Sequence, residues 1–238
     1  MAKIEAGDFI RLDYTGRLAS SSRVFDTTSA EEAKKAGIFS EKAVYKPVLV
    51  AVGKRMILAG LDDALIGMEP DGKKTIELPP EQAFGVRNPD LVTVVPLANF
   101  HRNNINPVPG MPVTLDNRNG RVRSVGGGRV VVDMNSDLAG ETVRYDVQIK
   151  AVIEGRDRQA EEILEDVGLT GDVKASKDSI EVKVPAEVAK GADYFLRKSK
   201  FVAATMALLG AKNVRVVEEF AAPKPEKEPK KEAKSKKG

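Results

Sequence analysis

Four short stretches decide how this chain reads: Asp13-Tyr14-Thr15-Gly16, Val24-Phe25-Asp26-Thr27-Thr28, Gly53-Lys54-Arg55-Met56-Ile57-Leu58-Ala59-Gly60-Leu61 and Gln82-Ala83-Phe84-Gly85. The first closes residues 9–14, where apolar and polar side chains partly alternate as along a half-buried strand. The third follows Val48-Leu49-Val50-Ala51-Val52, an apolar strand, and leads into residues 60–68, a short amphipathic helix stopped near Gly67 and Pro70. Residues 73–78 alternate into another strand that Pro79-Pro80 ends. Between the second and third stretches, residues 30–37 are charged and Ala-rich, which predicts a short exposed helix ending at Gly37.

Beyond residue 88 the character changes. Val92-Thr93-Val94-Val95-Pro96 leads into an Asn/Pro-rich stretch and then Gly110-Met111-Pro112-Val113-Thr114-Leu115. Asn119-Gly120 is a turn signal before Arg121-Val122-Arg123-Ser124-Val125, and Gly126-Gly127-Gly128 separates that strand from Val130-Val131-Val132-Asp133. Residues 89–135 therefore read as a small all-β unit, too small to be comfortable alone. Residues 143–152 alternate cleanly and look like the closing strand of the first domain. The β unit is then inserted in a loop of that domain, which comprises residues 1–88 and 136–155.

Residues 156–222 form a third, α/β piece. Residues 159–167 are helical, with Ala160, Ile163, Leu164 and Val167 on one face, and residues 179–184 alternate as a strand. Pro185 is placed as a first helical residue, residues 186–209 read as helix interrupted at Gly191, Gly210 caps it, and residues 214–217 form a strand. That helix carries Tyr194, Phe195, Phe201, Val202, Met206, Leu208 and Leu209, more apolar surface than one small sheet covers. Homodimerisation through this domain and ordinary packing within it are the two readings that follow.

The 238 residues hold 38 Lys and Arg against 35 Asp and Glu, for a net charge of +3. Residues 223–238 alone hold seven Lys against three Glu, or +4, which leaves residues 1–222 near −1. A nucleic-acid-binding domain carries its basic footprint on the fold. Here it sits on a Pro/Lys/Glu tail that cannot bury a core and is expected to be disordered, read first as a solubilising segment and second as a weak attraction to ribosomes or other polyanions. Zero cysteines exclude disulfides, cysteine-ligated metals and thiol nucleophiles. No stretch has the roughly 18 consecutive apolar residues of a membrane span, and the N-terminus has no apolar signal core, so a cytoplasmic address without membrane contact is expected.

In order and chemistry the four stretches resemble the FKBP-type peptidyl-prolyl cis-trans isomerases. Tyr14-Thr15-Gly16 matches the family's Tyr-Thr-Gly after the first long strand, and Phe25-Asp26 its Phe-Asp pair of ring wall and polar contact. Ile57-Leu58 matches the apolar pair at the entry of its short helix, with the Leu58 N–H as donor to a substrate carbonyl. Val48, after Lys46-Pro47, falls where many members carry an aromatic wall. Gln82-Ala83-Phe84-Gly85 resembles the aromatic-Gly loop, and Tyr145 falls where the closing strand supplies an aromatic. The pocket floor, usually Trp in small members, is Leu61 here. The loop aromatic, often Tyr, is Phe84, and both changes should weaken macrolide binding more than isomerisation. Asn135-Ser136-Asp137-Leu138-Ala139-Gly140 resembles the Asn-His-x-Leu-Ala-Gly motif of the SlyD-like branch, whose insert binds unfolded chains. The C-terminal extension resembles that of long archaeal members.

The resemblance implies an α+β fold: an FKBP-like antiparallel half-barrel sheet wrapped on a short helix, an inserted all-β domain and a C-terminal α/β domain. It implies a peptidyl-prolyl isomerase with chaperone activity toward unfolded or proline-containing polypeptides. The site would comprise Tyr14, Phe25, Asp26, Val48, Ile57, Leu58, Leu61, Phe84 and Tyr145. Rotation about X–Pro faces a barrier near ~20 kcal/mol but breaks no bond, so no cofactor and no metal are expected. The motif's His is Ser136 here, the tail lacks a His-rich run, and the sole histidine, His101, is read as structural or solvent-facing. Two alternatives stand beside this reading. One is a non-catalytic polypeptide-binding chaperone on the same scaffold. The other is an RNA- or ribosome-binding adaptor built on residues 110–134, which lack the aromatic platform that single strands stack on.

Overall fold

The computed structural model describes residues 2–115 and 117–220. The chain divides into two compact units at residues 154/155. The first opens with strand β1 (Phe9–Leu18), β2 (Val24–Thr27), helix α1 (Ala30–Lys35), β3 (Val48–Ala51), helix α2 (Ala59–Leu65) and β4 (Lys73–Leu78). An excursion follows: β5 (Val92–Pro96), α3 (Leu97–Arg102), β6 (Pro112–Leu115), β7 (Arg118–Gly126) and β8 (Arg129–Asp133). The unit closes with β9 (Val143–Ile153). The second unit holds α4 (Arg156–Asp166), β10 (Asp172–Ala175), β11 (Ser179–Pro185), α5 (Ala186–Ala189), α6 (Tyr194–Leu209) and β12 (Asn213–Glu219).

The barrel sheet runs β2-β1-β9-β4, with β3 paired to the first half of β1 beside β2. All its pairings are antiparallel. Alternation dictates which face is wet: on β9, Val143, Tyr145, Val147 and Ile149 point inward while Arg144 and Asp146 do not. Register shifts on β1, against β2 at Gly16/Arg17 and against β9 at Arg11/Leu12, add the local bend that curls the sheet. The concave face closes on α2, whose Leu61 and Leu65 join Ile10, Leu12, Val50, Leu78 and Ile149 in one core. This is the antiparallel half-barrel on a short helix that the sequence implies. Helix α1 starts on a Ser29 cap, the Glu32 N–H donating to Ser29 Oγ at 3.3 Å. It is not wholly exposed, because Ala33 is fully buried.

Strands β4 and β9 are neighbours although the whole excursion lies between them in sequence. The excursion forms its own sheet, β5-β8-β7-β6, over a small core of Phe100, Val122, Val130 and Val132. Two features differ from the sequence reading. The insert is not purely β: residues 97–102 contain neither Pro nor Gly, form α3, and bury Phe100. The Asn/Pro-rich composition belongs only to the loop beyond. The hairpin turn also falls earlier than Asn119-Gly120, because Leu115 pairs with Arg118 and Asn117 takes the positive φ of 60°. Gly120 lies within β7, where a Cβ would stand 3.0 Å from the Asp133 carbonyl oxygen. Close packing, not turn geometry, favours glycine there.

In the second unit β11 lies between antiparallel β10 and parallel β12. Strand β10 goes unread in the sequence because four residues with two charges carry little alternation. Pro185 ends β11 and caps α5 in extended conformation (φ −60°, ψ 146°) instead of occupying the first helical position. The helix expected over residues 186–209 is two, α5 and α6, parted around Gly191, where the sequence reading places its interruption. Tyr194, Phe201 and Leu209 of α6 are buried, while Phe195 (72% exposed), Leu196 and Met206 are not. The tail expected to be disordered at 223–238 lies outside the described residues. Among the described residues no helix is long and apolar enough to cross a membrane.

The two crossings between barrel and insert are stitched together. The Asn88 N–H donates to Asn135 Oδ1 at 2.8 Å, and Asn135 Nδ2 returns a bond to the Asn88 carbonyl at 2.9 Å. Beside them the buried Asp133 carboxylate accepts from Arg87 Nε at 3.0 Å, from the Asn135 N–H at 2.9 Å and from Asn135 Nδ2 at 2.8 Å. Burial alone would raise the Asp133 pKa, but the Arg87 and Asn135 hydrogen bonds outweigh it and lower it to about 2. A depressed carboxylate pKa stabilises the fold above its unfolded value of 3.8, and that contribution is lost as pH falls toward 2. Asp133→Asn is therefore expected to lower stability by about 1–3 kcal/mol at neutral pH, measured by urea unfolding. The gap between the two proteins should shrink between pH 4 and pH 2; a gap independent of pH would refute this account.

Candidate active site

Eight of the nine residues singled out from the sequence fall in one apolar cluster. Leu61 and Tyr145 are buried core members, and Tyr14, Phe25, Val48, Ile57, Leu58 and Phe84 pack against them half-buried. Asp26, the ninth, is exposed beside them and accepts a hydrogen bond from the Tyr14 hydroxyl at 2.9 Å. Each comes from a different part of the barrel: Tyr14 from β1, Phe25 and Asp26 from β2, Val48 from the start of β3, Ile57-Leu58 from the entry to α2, Phe84 from the loop after Gln82, and Tyr145 from β9.

Gly16 is the point on which they meet. It pairs with Asp26 on one side and Tyr145 on the other. A Cβ there would lie 2.8 Å from Phe25 Cζ and 2.9 Å from Tyr145 Cε1, so any side chain would displace both rings. With none present, the rings form a continuous edge-on series. Tyr14 to Tyr145, Tyr145 to Phe25 and Phe25 to Phe84 have centroid separations of 5.8, 5.8 and 5.7 Å and interplanar angles of 64°, 86° and 84°. Such pairs are worth about 0.5–1.5 kcal/mol each beyond their burial. Thr28 fixes the Tyr14 backbone from both sides, its N–H donating to the Tyr14 carbonyl and its Oγ1 accepting from the Tyr14 N–H, each at 3.0 Å.

Burial first, and then the Asp26 charge, pushes the Tyr14 and Tyr145 hydroxyls well above the ordinary phenol range. Both stay protonated at any working pH. The Leu58 N–H makes no hydrogen bond among the described residues. Leu58 is the N-cap of α2 with φ −51°, so its N–H precedes the helical ladder.

Asp62, which the sequence reading passes over, holds this donor in place. It is fully buried, and its two carboxylate oxygens accept the Gly53 and Arg55 N–H groups, each at 2.9 Å. These bonds pin the loop that ends in Ile57-Leu58, including Arg55 in a left-handed conformation (φ 56°). The available signal is an acid set between the buried apolar positions Leu61 and Leu65, where a polar side chain must have a partner. Chemically the site offers apolar walls, an unused N–H and protonated hydroxyls. Among the described residues no group of three or more His, Cys, Asp or Glu could hold a metal ion, and His101 lies exposed at the end of α3.

Comparison with known proteins agrees with this geometry. The family model described as FKBP-type peptidyl-prolyl cis-trans isomerase matches residues 1–101, and one described as the IF domain of FKBP26 matches residues 93–138. A short-type peptidyl-prolyl cis-trans isomerase of Methanocaldococcus jannaschii is 30% identical over 149 residues, covering 63% of this chain and 94% of that protein. The FKBP-type 16 kDa peptidyl-prolyl cis-trans isomerase of Escherichia coli is 30% identical, covering 52% and 80% respectively. The SlyD isomerase of Vibrio cholerae is 32% identical, covering 48% and 59%. A 30% identical relative matched over nearly its whole length, with a half-barrel that gathers the resembling residues in one apolar cluster, places this chain in the FKBP-type peptidyl-prolyl cis-trans isomerase family.

Proposed function

We propose that this chain is a folding helper with two coupled sites, in which the insert holds unfolded segments and the barrel cleft isomerises their X–Pro bonds. In the planar ground state the amide is resonance-stabilised and strongly polar. In the twisted transition state that resonance and part of the charge separation are lost. A cleft walled by Tyr14, Phe25, Val48, Phe84 and Tyr145 over a Leu61 floor solvates the twisted form relatively better. The Leu58 N–H holds the substrate carbonyl during rotation, and Tyr14 keeps Asp26 oriented at the rim. The single observation carrying this reading is the unpartnered Leu58 N–H beside the ring series.

A groove of about 660 Å3 on the insert supports the capture role. Its lining includes Val95, Phe100, Ile105, Met111, Val113 and Leu115, a mostly apolar surface suited to loosely held unfolded chain. The cytoplasm is the compartment this reading assigns, and the basic tail supplies a weak, salt-sensitive contact with polyanions. The exposed Phe195, Leu196 and Met206 of α6 favour self-association through the second unit.

Leu58→Pro keeps a compatible φ but deletes the N–H. It is expected to lower kcat/KM on a prolyl tetrapeptide about 10-fold more than Leu58→Ala, a difference of about 1.4 kcal/mol. Phe84→Ala should also slow proline-limited refolding, and equal acceleration by wild type and all three variants would favour a non-catalytic chaperone. Deleting residues 90–134, or introducing Ile105→Asp with Val113→Asp, should spare tetrapeptide turnover yet cut activity on an unfolded protein about 10-fold or more. Unchanged protein activity would end the coupling. Sedimentation of the full chain should show dimers that Phe195→Asp with Leu196→Asp removes; a monomer at all concentrations would overturn self-association.

A further inference from the structure

Phe84 lies in a loop without strand pairing, between β4 and the insert, so its ring is only as well placed as the contacts that hold that loop. The loop is wound by its own backbone: the Pro80 carbonyl accepts the Ala83 N–H at 3.1 Å and the Gly85 N–H at 2.7 Å. These bonds shape residues 80–85 but do not locate them relative to Leu58, whose N–H is the donor across the cleft.

Two contacts from outside the loop do locate it. The first is Gly60, two residues past Leu58 in α2. A Cβ there would lie 2.7 Å from Leu78 Cδ2, 2.9 Å from Gln82 Cβ and 3.1 Å from the Gln82 carbonyl oxygen. The helix therefore rests directly on the main chain two residues before Phe84. A Leu78 methyl has room to rotate away, but Gln82 Cβ moves only with its backbone. Glycine is a poorer helix former than alanine, so propensity does not account for it in this first turn. The second contact comes from the segment leading back from the insert, where the Gly140 N–H donates to the Gly85 carbonyl at 2.8 Å. That segment is a compact turn. The Ala139 N–H donates to the Ser136 carbonyl at 3.0 Å and the Leu138 N–H to Ser136 Oγ at 3.3 Å, while Leu138 packs on the cleft's apolar cluster. Gly140 has a φ of 79°, where asparagine is tolerated and a β-branched residue is an outlier.

We propose that Gly60 and the Gly140–Gly85 hydrogen bond form a brace that sets the gap between the Phe84 ring and the Leu58 N–H, which makes Gly60 and Gly140 positioning residues for isomerisation. This rests on the isomerase reading of the cleft. Neither glycine belongs to the nine site residues, and each acts through the loop it holds. A side chain at residue 60 pushes Gln82 outward and Phe84 follows; a misplacement near 1 Å can cost on the order of 100-fold in rate. Both contacts lie outside residues 90–134, so the brace persists when the insert is removed.

The test measures kcat/KM of the full chain on a prolyl tetrapeptide, at a temperature where circular dichroism shows the compared variants folded. Gly60→Ala is expected to lower it about 5- to 10-fold, and by less than about 2-fold when Phe84→Leu is already present, because the two changes act on one ring. Gly140→Val should show the same dependence on Phe84, and Gly140→Asn should recover most of what Gly140→Val loses. This second pair carries the test should Gly60→Ala not fold. Full activity in the glycine variants, or equal losses with Phe84 and with Leu at that position, would overturn the brace and leave the isomerase reading standing. A wild-type chain that accelerates no peptide would remove both.

Discussion

The cleft depends on a missing side chain. At Gly16 the neighbouring strands bring Asp26 and Tyr145 alongside β1, and the Phe25 and Tyr145 rings fill the space a Cβ would need. Everything around it follows from that approach. Tyr14 meets Tyr145, Phe25 meets Phe84, and the register shift next to Gly16 bends β1 so that its concave side faces α2. Four rings gathered edge to edge give a rigid box, because such arrangements are favoured over alternatives and each ring has only two rotatable side-chain bonds.

The polar groups of the site are few, and most are occupied by holding another in place. Asp62 spends both oxygens on the 53–55 backbone, Tyr14 spends its proton on Asp26, and Thr28 clamps the Tyr14 main chain. Among the described residues neither the Leu58 N–H nor the Tyr145 hydroxyl has a hydrogen-bond partner. Rotation about an amide demands little more: a place where water does not compete, and one donor that does not shift as the carbonyl swings.

Much of this was legible in the sequence, for reasons particular residues make plain. Strand β9 announces itself because Val143, Tyr145, Val147 and Ile149 alternate with charged or polar neighbours, and α2 because Leu61 and Leu65 lie four apart. The nine residues that the family resemblance pointed to lie together in the fold, eight of them in one apolar cluster. What escaped was whatever depends on a partner distant in sequence. Gly120 looked like a turn residue because its neighbour is Asn, whereas its reason is the Asp133 carbonyl across the ladder. Asp62 looked like an ordinary helix-surface acid until the 53–55 loop folded over it. Helix α3 was masked by the composition of its flanks, and β10 was too short and too charged to show a period.

The pairing of β4 with β9 across the insert has a consequence for how the molecule is made. During synthesis from the N-terminus, β1 and β4 emerge early but share no hydrogen bonds; the strand that joins them is the last of its unit. The excursion between them joins β6 to β7 and β7 to β8 as consecutive hairpins and brings β5 back onto β8, so its own sheet can assemble as soon as residue 133 is free. A nascent chain can thus complete the inserted sheet before the barrel that carries the ring series can close.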